Sequence, residues 1–96
     1  MALVEDVALA HFAGRVGETF AVDAEDGRLE MVLDFVSELP RSPRPGGAFR
    51  LEFLGPREPL LPQGIYAFEI DEDRFDLFIV ATGQGDTNTQ YEAVFY

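Results

Sequence analysis

Three consecutive β-strands are predicted in the last third of the chain from its pattern of apolar and polar positions. Residues 65–70, 75–80 and 91–96 are rich in aromatic and β-branched side chains, and clusters of turn-forming residues separate them. Such segments fit a pleated, half-buried surface, and no helical period explains them better. The residues predicted to share the first face of each strand are Tyr66, Phe68 and Ile70, then Phe75, Leu77 and Ile79, then Tyr91, Ala93 and Phe95.

Three further strands are predicted in the earlier part of the chain. The longest covers residues 28–36, residues 49–53 alternate strictly between apolar and charged side chains, and residues 19–22 form a short first strand. The Asp26-Gly27 pair between the first two strands is a good hairpin signal. Four apolar residues of the longest strand are predicted to share one face: Leu29, Met31, Leu33 and Phe35.

The remaining segments are predicted as one short helix and several connections. Residues 3–12 form the helix, because apolar residues recur along it and two acidic residues lie near its favourable N-terminal end. Residues 39–47 contain prolines and paired glycines that cannot hold a regular strand ladder, so a surface loop is expected there. Residues 83–90 are predicted as a polar, flexible loop.

Together these elements predict a single mainly β domain over residues 1–96, either a small antiparallel six-stranded barrel or a two-layer sandwich with a short N-terminal helix. The short connections favour hairpins between antiparallel neighbours. Apolar residues on both faces of the later strands argue against an open sheet, which would leave an aromatic face in water. We therefore expect the barrel. No internal repeat is visible in the sequence.

The composition narrows the range of partners. The chain carries 18 acidic residues and 7 arginines, has no lysine and no cysteine, and has a formal net charge of −11. This charge repels phosphate, so neither nucleic acid nor an anionic membrane is expected as a partner. The N-terminus lacks the features of a signal peptide, and no stretch approaches the ~20 apolar residues of a membrane span. We expect a cytoplasmic location by default, with export as part of an assembly as the alternative.

No residue pattern predicts catalysis, a cofactor or a metal. His11 is the only histidine, and neither Ser37 nor Ser42 lies in a nucleophile motif, so His11 is expected to be a surface or packed residue. The acidic run of residues 71–73 lacks the spacing of a calcium loop and is expected to form a solvated hairpin turn. The protein is therefore predicted not to be an enzyme.

Several blocks of the chain resemble one protein family. Residues 61–66, 75–80 and 91–95, with the sequences LPQGIY, FDLFIV and YEAVF, are similar to the signature blocks of a small bacterial domain family of unknown function. The resemblance extends over roughly residues 12 to 96. It implies stand-alone proteins of about 100 residues whose genes often lie near those of phage-tail-collar-type proteins.

The function suggested by this resemblance is a non-enzymatic interaction or structural module, an accessory subunit or assembly partner of a tail-collar-like fibre protein; a homo-oligomer is a further option. We expect such a module to act through an exposed strand edge or a loop. The last strand is the candidate edge because the chain ends there. The residues predicted to make the contact are Tyr91, Val94 and Tyr96 in that strand, and Pro43, Arg44 and Pro45 in the proline-rich loop.

The alternative is a barrel that binds a small molecule inside. Its cavity would be lined by Tyr66, Phe68, Phe75 and Tyr91. A barrel with so few strands is usually filled by its own side chains, so the filling of the interior distinguishes the two hypotheses.

Overall fold

The computed structural model describes residues 11–24, 27–39 and 48–95, and these residues form six antiparallel strands. All six predicted strands are confirmed, several of them longer than the pattern indicated. Their bounds are β1 (Thr19–Ala24), β2 (Gly27–Leu39), β3 (Ala48–Pro56), β4 (Gly64–Ile70), β5 (Asp73–Gln84) and β6 (Asn88–Phe95).

Two predicted segments fall largely outside the described residues. Only His11 and Phe12 of the predicted helix over 3–12 are described, and they belong to a turn in which the Arg15 N–H donates to the Phe12 carbonyl at 3.0 Å. The described part of the chain contains no α-helix. Most of the predicted loop over 39–47 also lies outside it, as does Asp26 of the predicted Asp26-Gly27 turn. The antiparallel pairing of β1 with β2 that this turn predicted is confirmed, since Ala24 lies opposite Gly27.

The sheet is closed into a barrel with the strand order β1-β2-β3-β6-β5-β4, which excludes the sandwich. Each strand pairs with the next along the chain except β3 and β4. These two occupy opposite positions in the ring, so the connection between them (57–63) crosses one end of the barrel. Closure comes from a short antiparallel pairing of β1 with β4, in which Val22 lies opposite Phe68 and Asp23 opposite Ala67.

Alternate side chains of all six strands fill the barrel interior. The predicted inward faces of the strands at 49–53, 75–80 and 91–95 are confirmed. Burial of each large apolar side chain stabilises the fold by about 1.5–3 kcal/mol. The core consists of Phe12, Phe20, Val22, Met31, Leu33, Phe49, Leu51, Phe53, Leu61, Phe68, Ile70, Phe75, Leu77, Ile79, Tyr91, Ala93 and Phe95.

Two residues from outside the strands close the ends of the barrel. Phe12 is fully buried, and its ring centroid lies 6.2 Å from those of Phe20 and Phe49. At the other end, Leu61 of the crossing connection is 6% exposed, and its N–H donates to the Tyr91 hydroxyl at 3.0 Å. Both connections are therefore part of the core rather than loops laid over it.

A β-bulge in β2 overturns one part of the predicted pattern. The pairing of β2 with β3 shifts by one residue between Leu33 and Phe35, so Asp34 is the extra residue. Because side chains alternate with a period of two, an extra residue moves the following ones to the opposite face. Phe35 consequently faces outward at 40% exposure, and Val36 packs against the core instead.

The barrel consists of two halves with the same plan, β1-β2-β3 and β4-β5-β6. Their strands have 6, 13 and 9 residues in the first half and 7, 12 and 8 in the second. The middle strand of each half pairs first with the strand before it and then with the strand after it. A register shift follows at equivalent places, between Leu33 and Phe35 and between Ala81 and Gly83. The repeat lies in the architecture, since the sequence shows none.

Arginine–carboxylate clusters lie outside both junctions between the halves. At the β1–β4 junction, Asp23 pairs with Arg28 at 3.0 Å and with Arg74, and Arg28 also pairs with Glu69. These four side chains belong to four different strands and reinforce the shortest ladder of the barrel. Each exposed pair alone contributes about 0–1 kcal/mol to stability, so any larger contribution comes from the network that the four charges form together.

The β3–β6 junction has a similar cluster around one arginine. Arg50 lies 2.9 Å from Glu92 and 3.1 Å from Glu52, and its guanidinium sits 5.2 Å from the centroid of the outward-facing Phe35 ring. A cation over an aromatic ring adds about 0.5–1 kcal/mol at an exposed site. Arg50 thus joins β2, β3 and β6 on the outer surface.

A further ion pair, outside these two clusters, attaches the N-terminal turn to the β4–β5 hairpin. Arg15 donates a hydrogen bond of 2.5 Å to the Asp71 carboxylate. Asp71 and Glu72 both have positive φ values (53° and 76°), which is typical of the tight hairpin turns that match strand twist. The predicted acidic hairpin turn is therefore confirmed, and one of its acids holds the segment that carries Phe12.

Replacement of Gly55 by valine is expected to destabilise the barrel by about 1–3 kcal/mol through overpacking. A Cβ atom at this buried position would lie 3.1 Å from Tyr91 Cε2 and 3.3 Å from Met31 Cγ. The matched control is Gly64→Val, where the nearest atom would be Tyr66 Cε2 at 3.7 Å. Urea unfolding of both variants checks this, and equal midpoints would contradict the close packing at Gly55.

Asp71→Asn is expected to lower thermal stability near neutral pH but not in acid. The hydrogen bond from Arg15, with its charge, holds the pKa of Asp71 below its ordinary value. A carboxyl with a lowered pKa stabilises the fold above its unfolded-state pKa, and this stabilisation is lost as the pH falls through its folded-state pKa. Asparagine tolerates the left-handed backbone, so the turn is preserved. Melting temperatures measured across acid pH should converge for the two proteins, and a constant difference would contradict the ion pair.

Candidate functional site

The predicted edge strand is not an edge. β6 pairs with β3 along one side, from Phe49–Phe95 to Pro56–Asn88, and with β5 along the other. The prediction was wrong because the last strand along the chain need not be the last in the sheet. Barrel closure places β6 between two neighbours, with β3 paired along the whole strand and β5 paired along residues 89–92.

The predicted contact residues are therefore separated by the fold. Tyr91 is 1% exposed and lies in the core, where its hydroxyl accepts the hydrogen bond from Leu61. Val94 is half-buried on the outer face of β6, opposite Arg50 of β3. The other four, Tyr96 and Pro43, Arg44 and Pro45, lie outside the described residues.

Residues that could support catalysis or metal binding are dispersed. His11 is half-buried, with its ring 4.7 Å from that of Phe75, as expected for a packed residue. Within residues 11–24, 27–39 and 48–95, no group of three or more His, Cys, Asp or Glu side chains could hold a metal ion. In the same ranges, no helix is long and apolar enough to cross a bilayer.

The four aromatic residues of the alternative hypothesis belong to the barrel core or pack against it. Phe68, Phe75 and Tyr91 belong to the packed core and are at most 4% exposed. Tyr66 packs against that core, and its hydroxyl donates to the Pro62 carbonyl at 2.7 Å. Two of them, Tyr66 and Tyr91, also form hydrogen bonds with the crossing connection.

A polar groove of about 440 Å³ lies on the outer surface at the level of the two bulges. Asp34, the extra residue of the β2 bulge, forms one side, and Leu54 of β3 supplies an apolar surface. The rest comes from the β5–β6 hairpin, where both strands extend into the segment predicted as a flexible loop. The residues lining this part are Gly83, Gln84, Gly85, Asn88 and Gln90.

Hydrogen bonds fix one side of the polar groove. Gln84 Nε2 donates to the Arg57 carbonyl at 2.9 Å and to Thr89 Oγ1 at 3.0 Å, and the Gly85 N–H donates to the Asn88 carbonyl at 2.8 Å. Arg57 in turn donates to the Gly85 carbonyl at 3.1 Å. The hairpin is thereby tied to the crossing connection, which makes it a rigid wall.

A second surface feature is an exposed apolar patch on β4 and β5, the β4–β5 patch. Ile65 and Phe78 lie directly opposite each other on the two strands and are 64% and 51% exposed. Ala67 and Val80, which follow on the same outer face, are half-buried. Rigid strands hold all four side chains in place.

The apolar residues of this patch are visible in the sequence, but their exposure to solvent was not predicted. Apolar residues on the second face of the later strands were expected to be covered by a barrel or a second layer. In a single-layered barrel one face is the interior and the other is solvent, so Ile65 and Phe78 are exposed. The polar groove could not be predicted from the sequence pattern, because Asp34 and the β5–β6 hairpin are about fifty residues apart in the chain.

Comparison with known proteins identifies the family. A family described as "Domain of unknown function (DUF6916)" matches residues 7–95. The chain belongs to the DUF6916 family. No curated protein and no solved structure matches it.

The predicted resemblance to a domain family of unknown function is thus confirmed, and the structure explains the blocks that carry it. In LPQGIY, Leu61 closes one barrel end, the Pro62 carbonyl accepts the hydrogen bond from Tyr66, and Gly64 begins β4. FDLFIV and YEAVF place alternate residues in the core. In this DUF6916 domain the signature residues therefore maintain the fold.

Truncation of the chain after Gln90 is expected to abolish folding, not merely binding. It removes the central strand β6 beyond its first three residues, including buried Tyr91, Ala93 and Phe95. Loss of two buried aromatic side chains costs about 6–10 kcal/mol, which is comparable with the whole stability of a typical small domain, and the ladders of β6 are lost as well. Circular dichroism checks the result, and a truncated chain that still melts cooperatively would contradict the central position of β6.

Proposed function

We propose that this DUF6916 protein is a non-enzymatic binding module that docks a protein partner through the β4–β5 patch. The observation that supports it most strongly is the pair Ile65 and Phe78, two large apolar side chains exposed side by side on adjacent strands. Exposed apolar side chains are common singly, whereas adjacent ones on a rigid element are typical of association surfaces.

The closed barrel favours docking by a face rather than by strand addition. Strand addition requires a row of unpaired backbone N–H and C=O groups at a sheet edge. In the described barrel each strand has a neighbour on both sides. The side chains of an outer face are then the available means of contact, and the β4–β5 patch presents two exposed large apolar side chains on directly paired residues.

The charge of the protein limits the chemistry of the partner surface. Asp76 is exposed on the same face of β5 as Phe78 and lies opposite Ala67. It has no ion-pair partner among the described residues, whose arginines are engaged elsewhere. With a net charge of −11 on the whole chain, the fitting partner presents an apolar surface with a basic rim.

The resemblance of the sequence blocks suggests which partner to test first. It implies genes that lie near those of phage-tail-collar-type proteins, so a tail-collar-type fibre protein is our first candidate. The module would be an accessory subunit or assembly partner, made in the cytoplasm and exported only with its assembly. A second copy of the chain is the other candidate for the same patch.

Phe78→Ser is expected to weaken binding to the tail-collar-type partner at least about ten-fold while leaving the fold intact, because a central aromatic anchor at an interface carries about 2 kcal/mol or more. The matched control is Leu60→Ser, since Leu60 is 52% exposed but lies on the crossing connection. Purified proteins are compared by light scattering and calorimetry, at low and at raised salt. We expect binding to weaken as salt is added, because the attraction between an acidic module and a basic rim is screened.

Two results would overturn this proposal. Equal affinities of the wild type and Phe78→Ser would exclude the patch as the contact. A wild-type protein that stays monomeric, and that binds no tail-collar-type protein encoded beside it, would exclude this class of partner.

A further inference from the structure

The polar groove lies where the two halves of the barrel are both irregular. One register shift is in β2 at Asp34, and the other is in β5 at Thr82. The paired strands β3 and β6 lie between them. Bulges bend a strand and redirect its side chains, and they occur frequently beside binding sites. Here they produce a concavity on a surface that would otherwise be convex.

Two glycines keep this concavity open. A Cβ atom at Gly83 would lie 3.8 Å from Gln90 Oε1, and one at Gly85 would lie 3.4 Å from Asn88 Oδ1. Both glycines have ordinary backbone angles that any residue could adopt. Larger side chains at these positions would therefore extend towards the amides of the groove without backbone strain, and their absence leaves those amides accessible.

The accessible groups combine hydrogen-bond acceptors with donors and carry little charge. The Asp34 carboxylate and the Asn88 amide make no side-chain hydrogen bond to another described residue. Gln90 Nε2 has only a long contact of 3.5 Å with Glu52 Oε1. A carboxylate accepts hydrogen bonds, and each amide both donates and accepts them. The groove thus offers both kinds of partner to a ligand within one site.

This set of groups selects a class of ligand. An anion would meet the Asp34 carboxylate and the net charge of −11, a metal ion would find a single carboxylate, and a wholly apolar molecule would contact only Leu54. A neutral molecule rich in hydroxyl groups fits all the groups present, because each hydroxyl donates and accepts. Its C–H surface can pack on Leu54. The volume lies within the ~300–1,000 Å³ of typical ligand sites.

We propose that the polar groove binds a neutral carbohydrate, held by Asp34, Asn88 and Gln90 against Leu54. The groove lies on the ribbon between β2 and β5, with none of its lining residues in the β4–β5 patch. Carbohydrate binding is therefore independent of protein docking, and either proposal can fail without the other.

The test is an NMR titration of the ¹⁵N-labelled protein with maltotriose, cellotriose, chitotriose and mannotriose. Each sugar is raised to about 10 mM, because an open site that offers a few hydrogen bonds is expected to bind in the millimolar range. The expected result is a saturable shift of the Gly83, Gly85 and Gln90 amides with at least one sugar. Phe78→Ser should respond in the same way as the wild type.

Two variants distinguish the groove from the surface around it. Asn88→Ala removes an amide of the site, and Gly83→Leu fills the groove. Each should weaken binding about ten-fold, which corresponds to about 1.4 kcal/mol and lies within the cost of a lost hydrogen bond or an unpaired polar group. Thr87→Ala lies in the same hairpin but outside the lining and should bind as the wild type does. The folded state of each variant is read from the same spectra.

Three outcomes would overturn the proposal. These are the absence of saturable shifts at the groove with all four sugars, shifts confined to another surface, and unchanged affinity in both Asn88→Ala and Gly83→Leu. Saturation of the groove by a neutral Ser/Thr/Asn-rich peptide, with no response to the sugars, would assign it to a different class of ligand.

Discussion

Closure of the sheet between β1 and β4 is the constraint on which the rest of this structure depends. Only two residue pairs form that ladder, yet it converts two three-stranded meanders into a barrel with a single shared core. Because β3 and β4 then lie on opposite sides, the chain must cross one barrel end to continue. That crossing carries Leu61 into the interior and forms hydrogen bonds with Tyr66, Gln84 and Tyr91.

The same closure determines where the few arginines of this acidic chain form ion pairs. In the described residues they are concentrated where separate parts of the chain meet. Arg28 and Arg74 lie at the β1–β4 junction, Arg50 at the β3–β6 junction, and Arg15 between the N-terminal turn and a hairpin. The acids left over are spread on the outer surface. Positive charge thus supports the assembly of the barrel, while negative charge determines what can approach it.

Sequence pattern predicted the six strands and most of the buried face, and its failures have physical causes. A period of two is reliable only while the register is continuous, so the extra residue Asp34 made the predicted inward position of Phe35 wrong. The extension of β5 and β6 towards the hairpin was missed because its residues are polar and glycine-rich. The edge assignment failed because strand order in a closed sheet is not chain order. Both candidate surfaces depend on these missed features, since one is formed beside the bulges and the other is exposed by the single layer.

The shared plan of the two halves has a consequence for how such a barrel can arise. Each half consists of a three-stranded meander and a preceding segment that closes one barrel end, with Phe12 in the first half and Leu61 in the second. Two identical chains of half this length could pair in the same strand order as a symmetric homodimer. Once two such subunits are joined in one chain, the sequences of the two halves can differ. One half can then keep a long segment between its second and third strands, and the other a three-residue hairpin with glycines. Each face of the pseudo-symmetric molecule becomes free to acquire its own ligand.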